Sequence, residues 1–133
     1  PMPRVRPHIL LSEALCPCGC GKMPTEGILD SVNELIERYG KPIAINIMAR
    51  CKIYNKKCGG VEDSPHLEEE EDYGAGDLKC WSPKKRFILV PIIADMVKEG
   101  FFTQYEICNG HLHVAKVSKN HRLYQECNWG QSR

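Results

Sequence analysis

Two short stretches of the chain carry side chains that could bind a metal. The first, SPHLEEEEDYGAGD (residues 64–77), has a histidine near its start, an aspartate at its end and four consecutive glutamates between them. The second is HLH (residues 111–113), in which His111 and His113 are two positions apart. Because side chains at i and i+2 of a strand share a face, we expect these two imidazoles to project together.

A catalytic zinc site is one interpretation of these residues. His66, Asp77 and a late histidine would supply two nitrogens and one oxygen, which leaves the fourth position of a tetrahedral zinc open for water. Zinc lowers the pKa of that water to about 7, and a nearby carboxylate can take its proton as it attacks a carbonyl. Glu106 is the nearest candidate carboxylate in sequence. Two other interpretations stay open, a self-repelling acidic loop in water and a pair of surface histidines on an edge strand.

Two helices are predicted to support the site. Apolar residues recur at helical spacing between residues 25 and 39, and Gly40 follows as a stop signal. A second helix is predicted from Ser82, a good N-cap, to about residue 99. Pro91 in its middle predicts a kink or a split, because proline removes a backbone donor.

The strongest strand signal is a hairpin near the C-terminus. FFTQYEIC and HLHVAKV predict two strands, and Asn109-Gly110 between them is a typical hairpin turn. The pattern also predicts a buried strand at 41–49, a loop at 50–65 and a strand in DLKCW, at 77–81.

Composition bounds the kind of protein. The 133 residues predict one α+β domain over 1–133, with a small, mostly antiparallel sheet, flanking helices and a loose N-terminal segment at 1–10. Lys+Arg (18) and Asp+Glu (17) nearly balance, which gives no indication of a nucleic-acid partner or an anionic membrane surface. No apolar run approaches the roughly 20 residues of a membrane helix, and the first residues do not resemble a signal peptide. We expect a monomer.

Eight cysteines are many for this length, and their role is open on sequence alone. Cys16, Cys18 and Cys20 alternate with other residues, whereas structural zinc sites favour C-x-x-C spacing. Thiols, one or two disulfides to the loop around Cys51, and a second metal site therefore all stay possible. Three further cysteines are predicted to be small core residues in or near strands, namely Cys80, Cys108 and Cys127.

Most of the chain, about residues 11–117, resembles the zinc peptidases of the D-Ala-D-Ala carboxypeptidase family (peptidase family M15). The likeness is strongest to small phage and bacterial members related to the Hedgehog-type fold. It is carried by LSEALCPCGCG, YGKPIAINIMARCKIYNKKCGGVEDSPH and GAGD. By position, the resemblance implies three zinc ligands, a substrate-orienting or carbonyl-polarising arginine and a serine that holds the substrate carboxylate. These are His66, Asp77 and His113 as ligands, then Arg50 and Ser64.

The chain departs from the family pattern at several positions. Asp77 follows His66 by eleven residues, a longer spacing than usual, so the glutamate run resembles a loop insertion between two ligands. Ala115 stands where an aspartate is usual after the last histidine. YEICNGHLH is similar to the Hedgehog-type arrangement, which implies Glu106 as the catalytic base, His113 as the ligand and His111 as a donor that lies beside the metal ligands without binding the metal.

The resemblance implies a zinc-dependent peptidase, a carboxypeptidase or endopeptidase, that hydrolyses peptidoglycan stem peptides. A phage lysis or virion-associated enzyme would be cytoplasmic in the producing cell and would act on the cell wall after release. Two alternatives from other classes stay open. One is a catalytically impaired zinc-binding module on the same scaffold, and the other is a redox or metal-buffering protein built on the cysteines.

Overall fold

The computed structural model describes residues 2–125 and has the predicted α+β architecture. A short 3-10 turn at Pro65–Leu67 precedes the second strand of the larger sheet. The elements in chain order are β1 (Arg4–Arg6), β2 (Ile9–Leu10), α1 (Leu11–Ala14), α2 (Glu26–Tyr39), β3 (Ile45–Ile47), α3 (Lys52–Lys57), β4 (Gly74–Lys79), α4 (Pro83–Lys98), β5 (Gln104–Ile107) and β6 (His111–Lys116).

The larger sheet has four antiparallel strands in the order β3-β4-β6-β5. Because side chains alternate across a strand, one face of this sheet is apolar and packs on helices α2 and α4. Leu78, Leu112 and Val114 lie on that face and are fully buried. The opposite face carries the candidate site residues Asp77, Glu106, His111 and His113. The apolar core therefore supports one face of the sheet, and the other face can form a polar site.

Side-chain caps begin both long helices, and the cap at Ser82 is the predicted one. The Thr25 Oγ1 accepts the Ile28 N–H at 3.3 Å at the start of α2. The Ser82 Oγ accepts the Lys85 N–H at 3.3 Å at the start of α4. Of the two effects predicted for Pro91, a kink or a split, the split does not occur, because α4 runs through Pro91 without a break. Pro91 lies on the exposed side of the helix, where water can satisfy the carbonyl that loses its donor.

Three other local predictions differ from the structure. Residues 4–10 form an ordered hairpin, β1-β2, in place of a loose segment, because Ile9 is fully buried and Arg6 makes ion pairs with α2. The predicted loop at 50–65 contains α3, which Cys51 caps by accepting the Tyr54 N–H at its sulfur. The strand predicted at 41–49 is shorter in the structure, where β3 spans only Ile45–Ile47. Pro42 has no backbone N–H to donate to a neighbouring strand, which disfavours pairing at the start of the predicted range.

Among the residues that the structure describes, no helix has both the length and the apolar character needed to cross a membrane.

Candidate metal centre

Three predicted ligands meet on the polar face of the large sheet. One ligand atom from each of His66, Asp77 and His113 lies within 4.8 Å of the other two. The Asp77 Oδ1 is 3.2 Å from the His66 Nε2 and 2.7 Å from the His113 Nδ1. His66 and Asp77 are buried, and His113 is partly exposed. The structure thus brings together residues that are up to 47 positions apart in the chain.

Backbone contacts fix the orientation of His66. The backbone N–H of His66 donates to the Ser64 Oγ at 3.3 Å, and the ring Nδ1 of His66 lies 2.6 Å from the Met48 carbonyl oxygen. Since a carbonyl only accepts, the Nδ1 carries the proton and donates it there. The lone pair of Nε2 then faces the Asp77 carboxylate. Zinc-bound histidines commonly have this orientation, because their other ring nitrogen donates to a backbone carbonyl.

Sheet register explains why four site residues share one face. Asp77 on β4 pairs with His113 on β6, and Glu106 on β5 pairs with His113 from the other side. Directly paired residues project to the same face, so these three side chains form a row across three strands. His111, two positions before His113, joins them, and its Nε2 lies 3.7 Å from the Asp77 Oδ2.

The carboxyl group of Asp77 has a perturbed pKa. Burial alone would raise the pKa, but the close contacts with the imidazoles of His113 and His66 outweigh burial and hold the pKa of Asp77 well below its usual range. Asp77 is therefore an anion at neutral pH. An anionic oxygen facing two imidazole nitrogens is a donor set that suits a divalent zinc ion.

A groove with a volume of about 520 Å³ lies over this group, and the other predicted site residues line it. Arg50 is partly buried, its Nη1 donates to the Asn55 Oδ1 at 3.2 Å, and its Nε has no hydrogen-bond partner among the described residues. Ser64 is buried at the groove wall. A guanidinium that lines a groove can bind a carboxylate or a polarised carbonyl.

Glu106 is exposed in the same groove, where the Cys108 thiol donates to its Oε1 at 3.4 Å. The prediction that Cys108 is a core residue was wrong, because the hairpin turn places it at the groove. The pKa of the Cys108 thiol is raised to about 11, mainly by its partial burial and to a smaller extent by its hydrogen bond to Glu106. Cys80 does lie in the core, and Cys127 is outside the described residues.

The glutamate run is not part of the three-residue group. The Glu68 Oε1 lies 3.2 Å from the His121 Nε2, and the Glu69 Oε1 lies 3.1 Å from the Lys22 Nζ. These contacts attach the acidic loop to the N-terminal and C-terminal sides of the fold. The loop therefore connects two candidate ligands without supplying one.

Sequence reasoning missed several residues that build the site. The Met48 carbonyl orients His66, Asn55 holds Arg50, and Gln104 and Arg122 line the groove. The KIYNKK run could have indicated α3, since Cys51 can cap it and its last turn is basic, as helix ends prefer.

A model of the peptidase M15 family matches residues 7–115 of the chain. The chain therefore belongs to the peptidase M15 family, as the resemblance predicted, and membership implies hydrolase activity on a peptide substrate. No curated protein and no solved structure matches the chain.

Proposed function

We propose that this protein is a zinc-dependent peptidase that hydrolyses the stem peptides of peptidoglycan. One observation carries the proposal, namely the buried group of His66, Asp77 and His113 at the base of an open groove. Membership of the peptidase M15 family supports the reaction class. The substrate class and a phage-type role rest on the resemblance to small phage and bacterial members, which would be made in the cytoplasm and reach the cell wall after release.

The three proposed ligands suit zinc in number, type and spacing. Ligand atoms about 2.1 Å from a tetrahedral zinc lie about 3.4 Å apart, close to the 3.2 Å between the His66 Nε2 and the Asp77 Oδ1. Since the His66 Nδ1 keeps its proton for Met48, the Nε2 and the carboxylate face each other as two acceptors. When bound, zinc would act as a Lewis acid toward a peptide carbonyl and lower the pKa of a water molecule.

Glu106 is the proposed general base. Its carboxylate shares the face of His113 and opens to the groove, so it can accept a proton from the attacking water and return it to the leaving amine. His111 lies on the same face and beside Asp77, and we assign it to donating a proton or a hydrogen bond as negative charge develops on the substrate.

Arg50 and Ser64 are the proposed substrate-binding residues. Arg50 and Ser64 both line the groove next to His66. A stem peptide ends in a carboxylate, and a guanidinium binds that group with directed hydrogen bonds. Binding at Arg50 would place a nearby peptide bond over the ligand group.

The test measures cleavage by the purified protein, supplied with zinc, of sacculi and of a synthetic stem pentapeptide. We expect new amino groups and shortened peptides with the wild type, and none with His66→Ala or Asp77→Ala, which should also lose the zinc ion of the histidine group. Intact substrates after incubation with the zinc-loaded wild type would refute the proposal.

A second candidate function is a zinc-binding module without catalysis. Two observations favour it. Ala115 stands at the position where the family usually has an aspartate after the last histidine, and the Glu106 carboxylate contacts the Cys108 thiol and not a histidine of the site. The same experiment separates the two, because the module would bind zinc through the same residues and leave both substrates intact.

A further inference from the structure

A second cluster of candidate ligands lies apart from the histidine group, near the N-terminus. The sulfur atoms of Cys16, Cys18, Cys20 and Cys51 all lie within 4.8 Å of one another. The Cys18 Sγ is 3.5 Å from the Cys16 Sγ and 3.6 Å from the Cys51 Sγ. All four cysteines are free thiols.

These separations fit a tetrahedron of sulfurs around one ion. Zinc–sulfur bonds of about 2.3 Å place neighbouring sulfurs about 3.8 Å apart. A disulfide would need about 2.05 Å between two sulfurs, much less than these separations. Four thiolates in tetrahedral array are a ligand set of structural zinc or of iron–sulfur sites, and a single ion fits the compact spacing found here.

The N-terminal three cysteines converge because their segment is coiled. In an extended strand the first and last sulfur-bearing residues of C-x-C-x-C would be about 13 Å apart. Here Gly19, with a φ of +85°, turns the chain between the second and third cysteines. The Gly19 N–H donates to the Cys16 carbonyl at 3.3 Å, and the Cys16 N–H donates to the Lys22 carbonyl at 2.9 Å.

Backbone N–H groups already point at two of the sulfurs. The Cys51 N–H donates to the Cys16 Sγ at 3.3 Å, and the Tyr54 N–H donates to the Cys51 Sγ at 3.4 Å. Such hydrogen bonds are a common part of the environment around metal-bound cysteines. The cluster therefore has the ligands, the sulfur spacing and the surrounding hydrogen-bond donors of a metal-binding site.

We propose that Cys16, Cys18, Cys20 and Cys51 bind a structural zinc ion, distinct from the one proposed at the histidine group. With four protein ligands no position is open to water, so the ion would be structural and not catalytic. It would fasten residues 16–20 to the chain at Cys51. That chain segment directly follows Arg50 and the Met48 carbonyl that orients His66, so the ion would stiffen one wall of the groove.

Metal content of the reduced protein is the first measurement. We expect about two zinc ions per wild-type chain and one fewer in the Cys18→Ser/Cys20→Ser double variant. Both positions are exposed, which favours folding of the variant, and Cys58→Ser, at an exposed cysteine outside the cluster, is the matched control that keeps both ions. His66→Ala should lose one ion and keep the cysteine-bound one, so failure of one site is distinguishable from failure of the other.

Cobalt titration of the metal-stripped wild type makes the test independent of variants. Cobalt at the cysteine cluster should give the intense near-ultraviolet charge-transfer band of tetrahedral thiolate coordination. The band should persist in His66→Ala and disappear in Cys18→Ser/Cys20→Ser. A wild type without that band, an unchanged zinc count in the double variant, or a native mass showing disulfides among these cysteines would overturn the proposal.

Discussion

Replacing Glu106 by glutamine changes one atom type and leaves the shape of the side chain. Glu106 lies opposite His113 in the register of β5 and β6, two strands from Asp77, and opens to the groove. It is exposed, and its Oε1 accepts a hydrogen bond from the Cys108 thiol at 3.4 Å, a bond that an amide oxygen can also accept. We therefore expect Glu106→Gln to fold and to bind zinc as the wild type does.

Activity should change far more than stability. An amide cannot accept the proton of the attacking water, and general-base catalysis contributes about 100-fold to 10,000-fold. That range equals about 2.7 to 5.5 kcal/mol of transition-state free energy. The free energy of unfolding should move by about 0.5 kcal/mol or less, as for other exposed substitutions. Because glutamine keeps the groove shape, the loss should fall on kcat and not on KM.

The assay is steady-state cleavage of a stem pentapeptide, with zinc content measured on the same samples. Glu37→Gln, on helix α2 across the sheet from the groove, is the matched control and should cleave at the wild-type rate. Normal turnover by zinc-loaded Glu106→Gln would refute the assignment of the base. His111→Ala would then identify or exclude the next candidate.

Three further changes test other parts of the site. Arg50→Lys should reduce kcat/KM roughly 10-fold to 100-fold, because an ammonium cannot replace the directed guanidinium donors. Arg38→Lys, on the surface, should leave kcat/KM unchanged, and equal peptidase rates for the two variants would contradict the role of Arg50 in substrate binding. Deleting Glu68 to Glu71 should leave the zinc content unchanged and lower the free energy of unfolding by about 1 kcal/mol through the loss of two ion pairs. A folded protein that has lost a zinc ion would show that the run binds metal. Gly110→Ala places a methyl group 2.7 Å from the Trp81 ring at a φ of +86°, whereas Gly100→Ala, at a φ of +88°, places it in open space. Denaturant unfolding should therefore show a loss of unfolding free energy about 1 kcal/mol larger for Gly110→Ala. Equal losses would contradict the packing of Trp81 on Gly110.

The parts of the fold that depend on local signals could be predicted from the sequence. Helix α2 follows from an apolar stripe that ends at a glycine, and the β5-β6 hairpin follows from Asn109-Gly110. The i, i+2 rule placed His111 and His113 on one face, and the register confirms that they share it. Short-range patterns of this kind need no knowledge of the rest of the chain.

Parts that depend on distant contacts could not be predicted in the same way. The spacing of Cys16, Cys18 and Cys20 is unusual for zinc, and only the fold shows that Gly19 coils the segment onto Cys51. The Met48 carbonyl that orients His66 carries no side-chain signal at all. Likewise Cys108 had the sequence features of a core residue, but the hairpin turn places it in the groove.

The most direct measurement of the central claim is the rate of stem-peptide hydrolysis as zinc is removed and returned. The metal-stripped wild type should lose cleavage and regain it when zinc is added, while His66→Ala should stay inactive at every zinc concentration. Magnesium should not restore the wild type, because two imidazoles and one carboxylate suit zinc and not a hard, oxygen-seeking ion. Undiminished hydrolysis after complete removal of zinc, or equal hydrolysis by His66→Ala, would contradict the account.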